Sequence, residues 1–352
     1  MDNVTLNAYL ERGEPCANEV FSDLVFKDLD MSGMIFDHVD FSRTHFINCD
    51  LQDCTLDACT LTDSIMESVN LNDCIFTKCD MSRIHLGNCQ IVDTTFNDSV
   101  MNESIWENCQ LALSIVRASP LQGARLDCEE IVKCIFHETN LDQCRFGNAD
   151  LDNVVFLESD LRQTEFAGEL FNQVVFIGCD LREKDFSGKT FVACQFTEGR
   201  LEDSNFTGAR VGGSMFAQCN LLRAKLDNLE GDGTVFTGAS LAHVSVTNAK
   251  LNKTIWSETK AGNANFSHSE LEYAVFEKSD CENASFEQCN LSYSNFDYAN
   301  LAGTNFKGAS CVHMHTHGAT GTPKHPGSVT ITNDMPLRRA ELYSVRHKNP
   351  FF

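Results

Sequence analysis

The chain has 352 residues, of which 42% are hydrophobic and 22% charged, and its formal net charge is −23 at pH 7. A charge of this sign excludes electrostatic attraction to nucleic acid or to an anionic membrane, and it favours solubility or a basic partner. No basic segment followed by an apolar one opens the chain, and no apolar run of about 18 residues occurs, so we expect a cytoplasmic protein without membrane contact, or one exported without a signal.

Residues 1–20 precede a repeat that begins at Phe21, and we expect them to form an N-terminal cap. The segment NVTLNAYL within them predicts a short helix or strand that covers the first coil of the repeat. A cap is needed because the end of a stacked repeat exposes unpaired strand edges and apolar interior.

From Phe21 to Cys311 a large apolar residue recurs at every fifth position with very few lapses, and the register has no insertion or deletion. We call these positions, which end in 1 or 6, the centres of the repeat. All of the 26 phenylalanines except Phe351 and Phe352 lie on centres, and so do both tryptophans. The period is too short for a helical heptad and does not match simple strand alternation, so it predicts a turn at every fifth residue.

The position two residues before each centre is also restricted, mostly to Cys, Ser, Ala, Thr or Val. Thirteen of the 17 cysteines lie at this small position. Residues two apart in an extended segment point to the same side, so the small residue and the centre should both face a narrow interior. We therefore interpret the cysteines as reduced, buried and apolar rather than as disulfides or metal ligands.

The segments CDLQD, VNLND, ADLDN, CNLSY and ANLAG resemble the A(D/N)LXX signature of pentapeptide repeat proteins, over about five sixths of the chain. The resemblance implies an all-β fold, a right-handed quadrilateral parallel β-helix with four repeats in each coil. The residues agree, because a five-residue segment cannot bury its own apolar side and must stack on neighbours. With twenty residues per coil, 21–311 gives about fifteen coils, a solenoid about 70 Å long at the usual strand spacing.

Departures from a strict repeat are the best candidates for a partner-binding site, because the fold does not require them. Glu169 and Lys189 would be neighbours in successive coils, either paired with each other or turned to solvent. At Leu229 the small position is oversized, and the next centre is Gly231. The candidate residues within the repeat are Glu129, Glu169, Lys184, Lys189 and Leu229.

Acidic residues are unevenly distributed along the repeat. Residues 21–165 carry 26 acidic and 9 basic side chains, so this half is the more anionic. Much of the acidity belongs to the repeat, since Asp often precedes a centre, where its side chain can bond the backbone of a turn.

Residues 312–352 form a basic, His-rich tail that either caps the solenoid or binds a partner. In it, SVTIT predicts a short strand and PLRRAELYSV a short helix. His313, His315 and His317 alternate, so in an extended strand they would lie on one side as a weak candidate metal site. The partner-binding candidates in the tail are Arg338, Arg339, Tyr343, Phe351 and Phe352.

No motif for catalysis or for a cofactor occurs in the sequence, and its His and Cys residues do not form a dyad. We therefore expect neither an enzyme nor a cofactor. The first functional hypothesis is an acidic scaffold that docks a protein partner of unknown identity through its walls and tail, and some similar proteins are associated with bacterial secretion systems. A homodimer through a terminal segment is compatible with this hypothesis.

The alternative hypothesis comes from the same resemblance, because some pentapeptide repeat proteins mimic DNA and bind gyrase, a type II topoisomerase. The net charge fits this alternative. Against it, the repeat has no inserted loop, and its acidic residues occur on all four predicted walls.

Overall fold

The structure, a computed structural model, describes residues 3–329 and 336–337 and comprises two compact units, Met1–Asp180 and Leu181–Phe352. Each unit is built from short β-segments that pair in parallel with the segment twenty residues further along. The fold is therefore the all-β parallel solenoid that the sequence resemblance implies.

The first unit contains three parallel sheets, each on a different wall of the solenoid. Sheet A has nine strands: Cys16–Ala17, Ile35–Asp37, Thr55–Asp57, Ile75–Thr77, Thr95–Asn97, Ile115–Arg117, Ile135–His137, Val155–Leu157 and Val175–Ile177. Sheet B has eight: Val25–Lys27, His45–Ile47, Ile65–Glu67, His85–Gly87, Ile105–Glu107, Arg125–Asp127, Arg145–Phe146 and Glu165–Phe166. Sheet C of this unit contains Gln90–Val92, Gln110–Ala112, Glu130–Val132, Leu151–Asp152 and Leu170–Asn172.

The second unit has the same twenty-residue register but a different local structure. Its described part has one strand, Thr190–Val192, and otherwise pairs through isolated bridges from Asp185↔Asn205 to Asn305↔His325. Sheet A has nine strands, so regular strands cover about nine turns. This number is smaller than the fifteen coils predicted. Fewer strands form because, on each wall of the second unit, only one residue between two turns pairs with the neighbouring coil.

Helix α1, Asn3–Arg12, lies before the first coil, as one of the two predicted forms of this segment. Its Leu6 is fully buried, and the Tyr9 hydroxyl donates to Glu19 Oε1 at 2.8 Å. The helix ends where Gly13 adopts a φ of 63°, a conformation typical of a helix C-terminus. Pairing in the solenoid begins one repeat before Phe21, at Cys16, and continues past residue 311 to His325.

The corners of the solenoid explain the polar positions of the repeat. Residues at positions ending in 3 or 8, such as Asp23, Asn48 and Gly123, repeatedly take a φ between about 50° and 75°. Asn, Asp and Gly tolerate this left-handed region better than other residues do. Asp before a centre caps the turn that follows, as Asp50 Oδ1 does by accepting the backbone N–H of Gln52 at 3.0 Å.

The core consists of the centres and the small positions, as predicted. Every phenylalanine from Phe21 to Phe306 is buried, and those twenty residues apart often stack, as Phe136 and Phe156 do at 5.2 Å. All 17 cysteines are free and 16 of them are buried. The Cys54 thiol lies 3.0 Å from the carbonyl oxygen of Met31, within reach of a weak S–H hydrogen bond.

Candidate interaction surfaces

Residues twenty apart lie side by side, so each outward position of the repeat forms a column along one unit. On one corner of the first unit the column alternates in charge: Asp23, Arg43, Asp63 and Arg83. Arg43 binds Asp23 through Nε and a terminal nitrogen at 2.7 and 2.6 Å, and Arg83 binds Asp63 in the same way. These hydrogen bonds hold the pKa of Asp23 and of Asp63 below its ordinary value. This corner is close to neutral.

Another corner of the first unit carries three aspartates in a row. Asp53, Asp73 and Asp93 are exposed and occupy equivalent positions in three successive coils. Gln52 Nε2 donates to the Asp73 carboxylate at 3.2 Å. We call this row of three aspartates the acidic corner.

Glu129 and Glu169, two of the candidate residues, are exposed because the chain slips by one residue at their corner. In a regular coil the small position faces inward, but here Cys128 and Gly168 are buried in place of Glu129 and Glu169. The N–H of Glu129 donates to the Cys109 carbonyl at 3.1 Å, a bond that residue 130 would make in a regular coil. Neither carboxylate is therefore buried in the interior.

The slipped corner requires a close approach of backbones. A Cβ on Gly168 would collide with the carbonyl oxygen of Ala149, so only glycine fits there. Beside it lies an open recess of about 580 Å³ lined by Glu129, Glu130, Asp150 and Asp152, among others. This part of the first unit combines an irregular backbone with an acidic surface.

Lys184 and Lys189 are half-buried residues of the second unit. The backbone N–H of Ser187 and the side-chain amide of Asn205 donate to the Asp185 carboxylate. The pKa of Asp185 lies below its ordinary value, mainly because of hydrogen bonding from Ser187 and to a smaller extent because of the charge of Lys189. Lys189 thus has a nearby carboxylate in its own unit. The predicted pair of Glu169 with Lys189 joins residues of different units and stays a prediction.

Leu229 is not available to a partner, because only 1% of its surface is exposed. The next centre is Gly231, which has no side chain, and a Cβ added there would lie 2.9 Å from Val211 Cγ2 and 3.0 Å from Leu251 Cδ2. Leu229 therefore fills the space in the core that the absent side chain of Gly231 leaves. The interpretation of Leu229 as a binding residue was wrong.

We expect Leu229→Ala to lower the free energy of unfolding by about 2–4 kcal/mol, because it leaves a cavity that Gly231 cannot fill. The double variant L229A/G231L restores the usual order of small residue and centre, and it should recover part of that loss. Denaturant unfolding of the two variants and the wild type measures both effects. A double variant less stable than L229A would contradict the compensation.

The three alternating histidines do not share one side of an extended strand. His313 has a φ of 55°, and its ring stacks on Tyr293 at 5.1 Å. The buried His317 packs edge-on against Tyr298 at 5.5 Å, and His315 lies exposed between them in sequence. The prediction that the three histidines lie on one side of a strand is wrong, because the chain turns at His313. Within residues 3–329 and 336–337, no group of three or more His, Cys, Asp or Glu side chains could hold a metal ion.

Two surfaces of the described chain were missed by the sequence interpretation. One is an aromatic column in the second unit, where Tyr273 and Tyr293 are 48% and 45% exposed and stack at 5.0 Å, followed by His313. The other is the outward side of sheet A, where exposed isoleucines recur. Reading the sequence at intervals of twenty, rather than five, would have revealed both.

The tail candidates Arg338, Arg339, Tyr343, Phe351 and Phe352 lie outside the described residues, as do most of the predicted strand and helix of the tail. Leu337, the last described residue, is exposed and lines a recess with Asp297 and the residues from His313 to His317. The binding roles of the tail stay predictions.

Two family models match the chain. The model described as "Pentapeptide repeats (8 copies)" matches residues 25–63, 134–168, 170–208 and 269–308, and the one described as "Pentapeptide repeat region" matches residues 49–127. Together these segments include more than half of the sequence. Among curated proteins, none matches the chain.

Solved structures of pentapeptide repeat proteins match the chain at low identity. HetL, from the cyanobacterium Nostoc and described as involved in regulating heterocyst differentiation, is 15% identical, with coverage of 94% of this chain and 100% of HetL and a TM-score of 0.19. QnrB1, a plasmid-mediated fluoroquinolone resistance protein, is 15% identical over 62% of this chain and 91% of its own, with a TM-score of 0.27. Rfr23, from the cyanobacterium Cyanothece, is 14% identical, with coverage of 48% of this chain and 91% of Rfr23 and a TM-score of 0.15.

Within the described residues, no helix is both long and apolar enough to cross a lipid bilayer.

Proposed function

Since this chain belongs to the pentapeptide repeat family, we propose that it is a non-catalytic scaffold that docks protein partners through the walls of the solenoid and through its basic tail. The observation that carries the proposal is the alignment of outward side chains in columns. The interior is filled by centres and small residues, so the chemically distinct groups are on the outside.

The columns differ in chemistry from one wall or corner to the next. One corner of the first unit alternates Asp and Arg, another carries Asp53, Asp73 and Asp93, and the second unit presents a tyrosine column. Long, rigid surfaces of distinct chemistry suit the recognition of other proteins, and repeat solenoids commonly bind partners in this way. The net charge of −23 argues for a basic protein partner and against nucleic acid.

A DNA mimic is less well supported. The charges of Arg43 and Arg83 neutralise the corner of the first unit that contains Asp23 and Asp63. A phosphate-like surface would need uniform negative charge along more than one edge, because both strands of a duplex carry phosphates. We therefore propose the scaffold function rather than the gyrase-binding alternative.

Affinity capture from the native host tests the proposal, with the full chain and the variant R338E/R339E as bait. These substitutions reverse two tail charges and leave residues 3–329 intact. We expect a reproducible protein partner that binds the wild type and is lost or weakened with the variant, while circular dichroism shows both to be folded. A matched variant, K278E, reverses a charge on an exposed corner residue outside the tail and should retain the partner.

Two results would contradict the proposal. Identical captured proteins for all three baits would remove the role of the tail. Inhibition of gyrase supercoiling by the wild type, with an affinity that falls steeply as salt rises, would instead favour the DNA mimic.

A further inference from the structure

The outward side of sheet A is a continuous column of β-branched residues. The middle residue of each of its last eight strands is a buried centre, and the residue just before it points outward. Ile35, Ile75 and Ile115 are 47%, 45% and 38% exposed in this column. We call the column the A face, and its residues are Ile35, Thr55, Ile75, Thr95, Ile115, Ile135, Val155 and Val175.

The five-residue repeat does not require this composition. The corresponding outward residues of sheet B include His45, His85, Arg125 and Arg145, so the same fold accepts charged residues at equivalent positions. Branched apolar side chains on a pleated surface pack well against a second apolar layer. A stripe in which six of eight outward residues are Ile or Val, on an otherwise acidic protein, marks an interaction surface.

Charge along the edge of the A face indicates which partner fits it. The third residues of the first six of these strands run from Asp37 and Asp57, through Thr77 and Asn97, to Arg117 and His137, and Leu157 and Ile177 follow. The column is thus acidic toward its first coils and basic toward its later ones. A surface with this gradient is complementary to itself when one copy is reversed.

We propose that the A face binds the A face of a second copy of this chain, with the two solenoids antiparallel. The two-fold axis lies parallel to the strands, between the strands Ile75–Thr77 and Thr95–Asn97. This operation brings each residue of a column opposite a residue of the same column in the other copy. It pairs Ile35 with Ile135, Thr55 with Ile115 and Ile75 with Thr95 across the interface, and it places Asp57 opposite Arg117 and Asp37 opposite His137.

The adjoining corner supports the same register. Under this operation Lys78 faces Asp98, His38 faces Glu138, and Ala58 faces Ala118, so opposite charges and small residues meet. A shift by one coil in either direction would place Lys78, or Asp98, opposite its own copy. Like charges in direct opposition disfavour both shifted registers.

A parallel arrangement of the two copies is also disfavoured. In a parallel arrangement the two-fold axis would run along the solenoid. The column that contains Asp57 would then face the acidic corner of the other copy, and Asp57 would lie opposite Asp53. In the antiparallel arrangement, Asp73 faces Asp93 at the edge away from the basic residues. We expect the two copies to be in closest contact at the edge that carries Arg117 and to leave the acidic corner open to water.

In the described part of the chain, the charged groups that face the second copy make local contacts at the surface. Arg117 donates from a terminal nitrogen to Asn97 Oδ1 at 3.3 Å, and Asp37 contacts His38 Nδ1 at 2.6 Å. His137 Nε2 lies 3.9 Å from Glu138. Surface contacts of this kind contribute little to stability, so they can be exchanged for contacts across the interface. This dimer needs no external partner, so it goes beyond the proposed scaffold function.

Sedimentation velocity of the full chain over a wide concentration range tests the proposal. We expect a concentration-dependent dimer of the wild type. Arg117→Asp and Asp57→Arg should each raise the dimer Kd by roughly tenfold or more, because each places like charges opposite each other twice in the symmetric interface. The double variant D57R/R117D reverses both charges and should return the Kd close to that of the wild type.

A matched pair of isoleucines separates the A face from a general effect of surface charge. Ile75→Lys, on the A face, should abolish the dimer, whereas Ile65→Lys, on sheet B and similarly exposed at 40%, should leave it unchanged. Circular dichroism and thermal unfolding show whether each variant is folded. A wild type that is monomeric at every concentration, a dimer that survives Ile75→Lys, or a double charge variant no better than the single ones would each overturn the proposal.

Discussion

Replacing Phe156 by Asp should lower the free energy of unfolding by more than about 5 kcal/mol, enough to unfold the first unit under ordinary conditions. The Phe156 ring is fully buried and stacks on Phe136 and Phe176 at 5.2 and 5.3 Å. It also contacts Phe146 and Phe166 edge-on. A carboxylate there loses all four ring contacts and finds no compensating charge.

Two further variants make the measurement specific. Glu158→Asn changes an exposed corner residue with a φ of 49°, a conformation that Asn tolerates, so it should be nearly neutral. Phe156→Leu keeps an apolar residue that the repeat uses at other centres, and it should cost far less than Asp. Denaturant unfolding followed by circular dichroism compares the three. Equal losses for Phe156→Asp and Glu158→Asn would contradict the assignment of inward and outward positions.

Raising the pH from 8 to 11 should unfold the protein, because buried thiols resist ionisation only while it is folded. Burial raises the pKa of Cys54 to about 12, that of Cys134 to about 11 and that of Cys179 to about 12, above the ordinary value near 9. Above pH 9 the unfolded chain therefore releases protons that the folded chain retains. Stability is fully present below about pH 9 and falls as the pH rises toward 12, by about 1.4 kcal/mol per pH unit for each thiol.

The triple variant C54S/C134S/C179S tests the cause of this alkaline unfolding. Serine preserves the shape and the hydrogen bond, since Ser114 at an equivalent position donates to the Ile91 carbonyl at 3.1 Å, but it does not titrate in this range. Stability of wild type and variant, measured under reducing conditions at several pH values, should diverge above pH 9 with the variant less sensitive. Parallel curves across this range would assign the alkaline loss to other groups.

The five-residue period was sufficient to predict a stacked repeat, its inward positions and the buried cysteines, and the resemblance to pentapeptide repeat proteins implied the parallel solenoid. Phe156 and Cys54 illustrate why: a residue that faces a narrow interior is constrained by size and polarity, and both constraints are visible in sequence. Single-residue bridges in the second unit were not predictable in the same way, because strands and bridges place the same residues inward. The pattern fixes the direction of a side chain but not the length of regular pairing.

The candidate site was predicted less well, since departures from the repeat have more than one structural solution. Glu129 is exposed because its corner slips, whereas Leu229 stays inside because Gly231 leaves room for it. In sequence, both departures place a large residue at the small position of the repeat. The A face was overlooked because its residues obey the repeat, and only their alignment at twenty-residue intervals gives them a shared surface.

The slipped corner at Glu129 and Gly168 has a consequence for how such a chain can change its length. Three successive turns share the deviation, since residues 128, 148 and 168 all lack the left-handed φ of the other corners, and their backbones touch where Gly168 approaches Ala149. An isolated one-residue insertion would therefore meet an unaltered neighbour and lose its pairing. Gain or loss of whole turns, carried as blocks with their own irregularities, is the change that such an architecture accommodates most readily.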